Sequence, residues 1–210
     1  MFTGLIEEKG LIESITDRSG GKRIIVKCND ILNDIKVDDS ISIDGICQTV
    51  VKTGSNCFEV EAVEETLKKT TVRYWRNGQT VNLERALKFS DRLGGHLVMG
   101  HIDTVGEIIQ ITKLGSSIKY ELLFPQEFSK YIIEQGSIAI NGISLTIAES
   151  YPTSLVVSII PHTLSKTNIS ELKKSDKVNL EFDILGKYIE KLLYDKQDNL
   201  TLDRLKELGY

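Results

Sequence analysis

Cysteine is scarce: the 210-residue chain has three, Cys28, Cys47 and Cys57. So small and odd a set cannot staple a secreted scaffold, so free thiols in the reducing cytoplasm are expected. Long apolar runs are also missing. No stretch approaches the roughly 20 residues of a membrane helix, so no membrane is expected. Glu7, Glu8 and Lys9 break the only apolar start, so no leader is expected. Positive charge is not in excess: 26 Lys and Arg face 30 Asp and Glu, a net charge of −4. That sign opposes a general phosphate-binding surface and argues against nucleic acid as a partner. Gly-x-Gly-x-x-Gly, the P-loop and paired zinc cysteines are all absent, which removes the common nucleotide and metal signatures. His96 and His101 suggest a metal, but their odd separation puts them on opposite faces of an expected strand, and no second cluster supplies ligands. No metal and no cofactor is expected.

What the chain does have is a long internal repeat. At an offset of 96, Gly4, Ile6, Gly10, Ile12 and Ile15 fall on Gly100, Ile102, Gly106, Ile108 and Ile111. At an offset of 97, residues 40–51 lie over 137–148 with six of twelve positions identical, and Val81-Asn-Leu-Glu84 lies over Val178-Asn-Leu-Glu181. A period this long exceeds the 20–50 residues of stacking modules, so the repeated unit is a domain. The expected division is a first domain over 1–96, a second over 97–184 and a tail over 185–210.

Apolar residues alternate along 22–28, 40–44, 46–51, 58–63 and 80–83, which is strand periodicity. Asp44-Gly45 and Asn141-Gly142 are hairpin signals within these β-rich runs. About six strands per unit suit a small closed barrel without free edges. The fold expected is all-β: two tandem six-stranded Greek-key-like barrels followed by a C-terminal α-helix. Short helices are expected over Pro125–Gln135 and, more weakly, Ile31–Ile35. Leu185, Tyr188, Ile189, Leu192 and Leu193 form a helical stripe, and a second amphipathic piece runs over 201–209.

The repeat also filters candidate chemistry. Residues identical in both halves, such as Thr49 and Thr146, report the fold or a shared ligand. Differences report what only one half does, and the leading ones are Cys47 opposite Ser144, His101 opposite Leu5 and Asp44 opposite Asn141. A thiol and an imidazole on one barrel with a hydroxyl on the other suit acid–base work or transient nucleophilic addition. A lone strand cysteine is by default a small buried hydrophobe, which fits Cys28 and competes for Cys47. Cys57 reads as exposed and incidental, and Gly94-Gly95 as a hinge.

Met1-Phe-Thr-Gly-Leu-Ile6, Gly45-Ile-Cys-Gln-Thr-Val50, Gly94-Gly-His-Leu-Val-Met-Gly-His-Ile-Asp103 and Gly142-Ile-Ser-Leu-Thr-Ile147, in that order, resemble the lumazine-binding repeats of the riboflavin synthase family. The resemblance covers residues 1 to about 193. It implies a homotrimer held by the C-terminal helix, one lumazine per barrel, and an active site where the N-terminal barrel of one subunit meets the C-terminal barrel of another. It further implies dismutation of two 6,7-dimethyl-8-ribityllumazine molecules to riboflavin and 5-amino-6-(D-ribitylamino)uracil without a cofactor, and an association with lumazine synthase. A non-catalytic lumazine- or flavin-binding protein of the same fold is the alternative.

Carried over residue by residue, the first pocket takes Gly4, Leu5, Ile6, Cys47, Gln48, Thr49, Glu61, Ala62, Val63, Glu64, Glu65 and Thr66. Further substrate contacts fall on Gly100, His101, Ile102, Ser144, Leu145, Thr146, Ile160, Pro161, His162, Thr163, Leu164 and Ser165, with Phe2 beside the reacting rings. Cys47, His101 and Ser144 are the expected catalytic trio. His162 faces Glu65 in the repeat and also reads as surface. Family members often carry an acid at Asn141, a leucine at Gln48 and a lysine at Gln135, so those three substrate positions depart from the pattern.

Overall fold

The computed structural model describes residues 1–197. Each half closes into a six-stranded antiparallel barrel. The first is built from β1 (Glu8–Arg18), β2 (Gly21–Lys27), β3 (Ser40–Ile43), β4 (Ile46–Thr53), β5 (Cys57–Val63) and β6 (Thr80–Arg85), in the order β1-β2-β5-β4-β3-β6. The second uses β7 (Thr104–Lys113), β8 (Ile118–Leu123), β9 (Ser137–Ile140), β10 (Ile143–Ser150), β11 (Ser154–Ile159) and β12 (Lys177–Phe182) in the same cyclic order. Closure leaves no edge strand to aggregate.

The repeat extends to the irregularities. Ladders slip between Ile12 and Ser14 and again between Ile108 and Gln110, and between Val50 and Lys52 and again between Ile147 and Glu149. Bulges at matched places bend the strands enough to close a small barrel. Asp44-Gly45 and Asn141-Gly142 turn the two central hairpins with positive φ at both residues (47° and 81°; 46° and 78°). Both positive angles mark the turn whose twist matches antiparallel strands. Alternation of buried and exposed residues fills each barrel: Ile12, Ile24, Val26, Ile41, Ile43, Phe58, Val60 and Leu83 in the first, Ile108, Leu122, Ile138, Ile140, Leu155, Val157 and Leu180 in the second. Cys28 belongs to the first core, where burial pushes its thiol up to about 12.

Some local expectations need correction. The expected helix over Pro125–Gln135 is only a 3₁₀ turn, Gln126–Tyr131, and its counterpart shrinks to Ile31–Asn33. Two helices carried no distinct signal: α1 (Glu64–Lys69) and α2 (Pro161–Lys166), each one and a half turns and each following the last strand residues of β5 and β11. One or two turns are too short for amphipathic periodicity to show.

The tail helix α3 (Ile184–Gln197) is present. Glu190 ties it to Lys130 and Tyr131, and Lys187 Nζ donates to Asp103 Oδ1 at 2.7 Å. Leu185, Tyr188, Ile189, Leu192 and Leu193 are 58–65% exposed. The amphipathic piece expected over 201–209 lies outside the described residues.

Candidate functional site

Residues 1–7 and 94–103 are not strands but extended arms, one entering each barrel from its N-terminal side. The arms cross. Phe2 pairs with Val98 through two hydrogen bonds (2.7 and 3.1 Å), and His96 N donates to the Thr3 carbonyl at 3.2 Å. Beyond the crossing each arm lies on the other half's barrel: Ser144 N donates to the Gly4 carbonyl at 2.8 Å, and Cys47 N to the Gly100 carbonyl at 2.9 Å. Ile6 accordingly packs on the second core and Ile102 on the first. This corrects the assignment of Gly4, Leu5 and Ile6 to the first pocket, because a match at fixed offset cannot reveal an exchange of arms.

Glycine is required at both crossings. Gly4 (φ 77°) and Gly100 (φ 79°) adopt a left-handed backbone, and a Cβ on either would lie 2.5 Å from Ser144 Cβ or 2.6 Å from Cys47 Cβ. Gly95 is more than a hinge, since a Cβ there would meet the Thr3 carbonyl at 2.1 Å.

Two buried carboxylates hold the arms. Glu84 accepts from Thr3 N (2.6 Å), Thr3 Oγ1 (2.7 Å) and Gly4 N (3.0 Å). Glu181 accepts from Met99 N (2.6 Å), Gly100 N (2.9 Å) and His101 N (3.1 Å). Burial raises both above the usual carboxylate range, Glu181 to about 7, while the backbone donors oppose the shift. Neither acid stood out in the sequence as functional, although their identity across the repeat was the available signal.

On the second barrel, Ser144 sits on β10 under the first arm. Its Oγ lies 2.7 Å from His96 Nδ1, and His96 is buried with Nε2 unpartnered. Burial lowers the imidazole's pKa, so near neutral pH it is an uncharged base beside a hydroxyl. The imidazole on Ser144 is therefore His96, a residue weighed from sequence only as a metal ligand and set aside on strand geometry, whereas the arm is not a strand whose faces alternate. A pocket of about 310 Å³ opens here, bringing together Gly4, Leu5, Ile6, Ser144, His162 and Thr163.

On the first barrel, Cys47 on β4 is half-buried beneath Gly100, with exposed His101 the next residue along the arm. Phe2, Val98 and Ala139 form a small buried cluster against which Cys47 packs. Thr49 and Thr146 are both exposed, paired with Ser40 and Ser137 on the neighbouring strands. Gln48 is buried, its Nε2 donating to the Cys47 carbonyl at 2.9 Å and its Oε1 unpartnered, whereas Leu145 opposite is half-buried.

Other nominated positions sit differently. Ala62 is a core residue, and Glu61 is bound to Arg23 at the surface. Val63, Glu64, Glu65, Ile160, Pro161 and Ser165 are exposed on or just before α1 and α2, with Thr66 and Leu164 half-buried. Gln135 is exposed with φ 64°, and its N–H donates to the Ile147 carbonyl. Asn141 is buried at the contact between barrels, where its Oδ1 accepts from Asn179 N.

Two barrels of equivalent topology with exchanged arms define a duplicated lumazine-binding fold: residues 3–86 and 99–183 each match the family described as the lumazine binding domain. The riboflavin synthase of Actinobacillus pleuropneumoniae is 43% identical over the full length of both chains, and that of Bacillus subtilis is 40% identical over 96% of this chain and 94% of its own. The crystal structure of LumP complexed with riboflavin superposes with a TM-score of 0.80 at 27% identity, covering 87% of this chain and 99% of that one. The chain belongs to the riboflavin synthase family.

Proposed function

We propose that the protein is a riboflavin synthase that dismutates two molecules of 6,7-dimethyl-8-ribityllumazine, moving a four-carbon unit from one to the other to give riboflavin and 5-amino-6-(D-ribitylamino)uracil. The observation that carries this reading is the crossing of the arms. It lays one arm at equivalent places on the two barrels but furnishes those places differently, with Cys47 and His101 at one and Ser144 with His96 at the other. Two like ligands treated unlike is what a dismutation between identical molecules needs.

One lumazine lies against Cys47, Thr49 and the Gly100–Ile102 arm, the other in the pocket of Gly4, Leu5, Ile6, Ser144 and Thr163. Deprotonation of a 7-methyl group yields a carbanion spread over the pteridine ring, so the protein must chiefly hold the second ring against it. His96, neutral and in contact with Ser144, takes the proton as Ser144 Oγ or a water it positions adds to one lumazine. His101, beside Cys47, moves protons at the other, and Phe2 packs between the arms. No carboxylate at position 141 takes part, since the residue there is the amide Asn141.

The functional units are a first domain over 1–96, a second over 97–184 and a tail over 185–210, in a cytoplasmic homotrimer. The exposed stripe of α3 supports that assembly, in which the first barrel of one subunit faces the second barrel of another. Association with lumazine synthase would shorten the path of the shared intermediate. Incubation of the purified protein with the lumazine alone tests the reading: one riboflavin formed per two lumazines consumed supports it, and binding without conversion selects the non-catalytic carrier.

A further inference from the structure

Asp44 and Asn141 hold equivalent places in the two central hairpins and do the same main-chain work. Asp44 Oδ1 accepts from Asn82 N at 2.7 Å, and Asn141 Oδ1 from Asn179 N at 2.8 Å. Asn179 joins them, since its Nδ2 also donates to the Asp44 carbonyl at 2.9 Å. Asn168 Nδ2 donates to the same Asp44 Oδ1 at 2.9 Å. The second atom of each head group is unused: among the described residues Asp44 Oδ2 accepts no hydrogen bond and Asn141 Nδ2 donates none. Both side chains are nearly buried, 2% and 3% exposed, and both line a cleft of about 520 Å³ between the barrels. Cys47, His96, His101 and Ser144 do not line it.

We propose that this inter-barrel cleft is a second ligand site for a small planar heterocycle with a lactam or imide edge, its N–H donated to Asp44 Oδ2 and its adjacent carbonyl accepting from Asn141 Nδ2. An acceptor and a donor lining the same cleft offer the complement of that edge. The fold needs no carboxylate at 44, because Asn141 performs the same backbone duty with an amide. Keeping the acid is costly: burial pushes it up to about 7, against the pull of Asn82 and Asn168. Trp75 and Leu172, equivalent residues of the repeat, line the cleft and offer apolar surface for the ring. The charged groups facing it are Arg76, Glu171, Asp176 and Lys177; Lys177 is held by Glu107 at 2.6 Å and Glu171 by Lys9 at 3.4 Å.

The test uses the full chain with its lumazine sites saturated by riboflavin, and uracil as the probe in ligand-observed NMR, with 1,3-dimethyluracil as the analogue lacking both N–H groups. Uracil binds saturably, more tightly as pH rises through 7, and the dimethyl analogue does not. Asp44→Asn weakens uracil by about tenfold or more, the worth of a hydrogen bond to a charged group. The exchanged pair Asp44→Asn with Asn141→Asp recovers most of it. Asn141→Ala, which leaves Asp44 in place, gives an intermediate loss. Absence of saturable binding, equal binding of the dimethyl analogue, an unaltered affinity in Asp44→Asn, or uracil binding seen only when riboflavin is left out would each overturn the proposal. Riboflavin formation by the unaltered protein, assayed without added riboflavin, does not depend on any of these results, so the two readings fail separately.

Discussion

His96 Nδ1 lies 2.7 Å from Ser144 Oγ although 48 residues separate them, and Cys47, the equivalent residue on the other barrel, has no such imidazole contact among the described residues. The contact exists because the first arm's Thr3 carbonyl fixes His96 N at 3.2 Å and the second barrel's β10 presents Ser144 upward against Gly4. The asymmetry between the halves is thus a product of arm geometry as much as of residue type.

If His96 is the base for Ser144, His96→Ala lowers kcat by about 10²-fold, the lower range for a general base, with lumazine binding little changed. Ser144→Ala gives a similar loss, and the double variant falls no further, as expected of groups acting as a unit. Because burial depresses the His96 pKa, the neutral form persists as pH falls, and kcat declines only below the ordinary histidine range of about 6.5. Single-turnover kinetics across pH reads all of this; additive losses would separate the two residues.

Gly4→Ala and Gly100→Ala each place a methyl within 2.6 Å of a strand Cβ at a left-handed backbone. The left-handed conformation alone costs about 1–2 kcal/mol, and the overlap adds to it. Each variant therefore melts earlier, and Gly4→Ala damages ligand binding at the Ser144 groove while Gly100→Ala damages it at the Cys47 groove. Calorimetric melting with riboflavin titration distinguishes them.

Asp44→Asn stabilises the protein in alkali. The folded pKa of Asp44, about 7, lies above the ordinary carboxylate value, so its favourable contribution belongs to the protonated form. That contribution is complete below about pH 4 and is lost as pH rises through 7. An asparagine retains the bonds to Asn82 and Asn168 without the buried charge, gaining on the order of 4 kcal/mol at pH 8 and nothing at pH 4. Urea unfolding at the two pH values measures the difference.

Much of this was legible in the chain. Alternation, the two hairpin dipeptides and the 96–97 offset gave twelve strands in two closed barrels, because each β feature leaves a local signature. The crossing of the arms did not, since pairing Phe2 with Val98 is a non-local event and the offset aligns each arm with its own barrel. Cys47, Ser144 and the threonines emerged from comparing the halves. His96 escaped that comparison because it has no counterpart in the first half, and Glu84 and Glu181 escaped because identical residues read as scaffold.

Charging the exposed stripe of α3 through Ile189→Lys and Leu192→Lys leaves both barrels folded, since these side chains are 58% and 65% exposed and touch neither core. If the proposed trimer forms, sedimentation then reports monomers in its place, and riboflavin formation falls because each proposed site draws on barrels from two subunits. Full activity in a monomer would refute the shared site.

The most direct measurement of the central claim is a crystal structure with an unreactive lumazine analogue at saturating concentration. Two analogues per chain are expected, one against Cys47 beneath Gly100 and His101, the other against Ser144 beneath Gly4 and Leu5. A single analogue per chain, or analogues bound away from both arms, would contradict it.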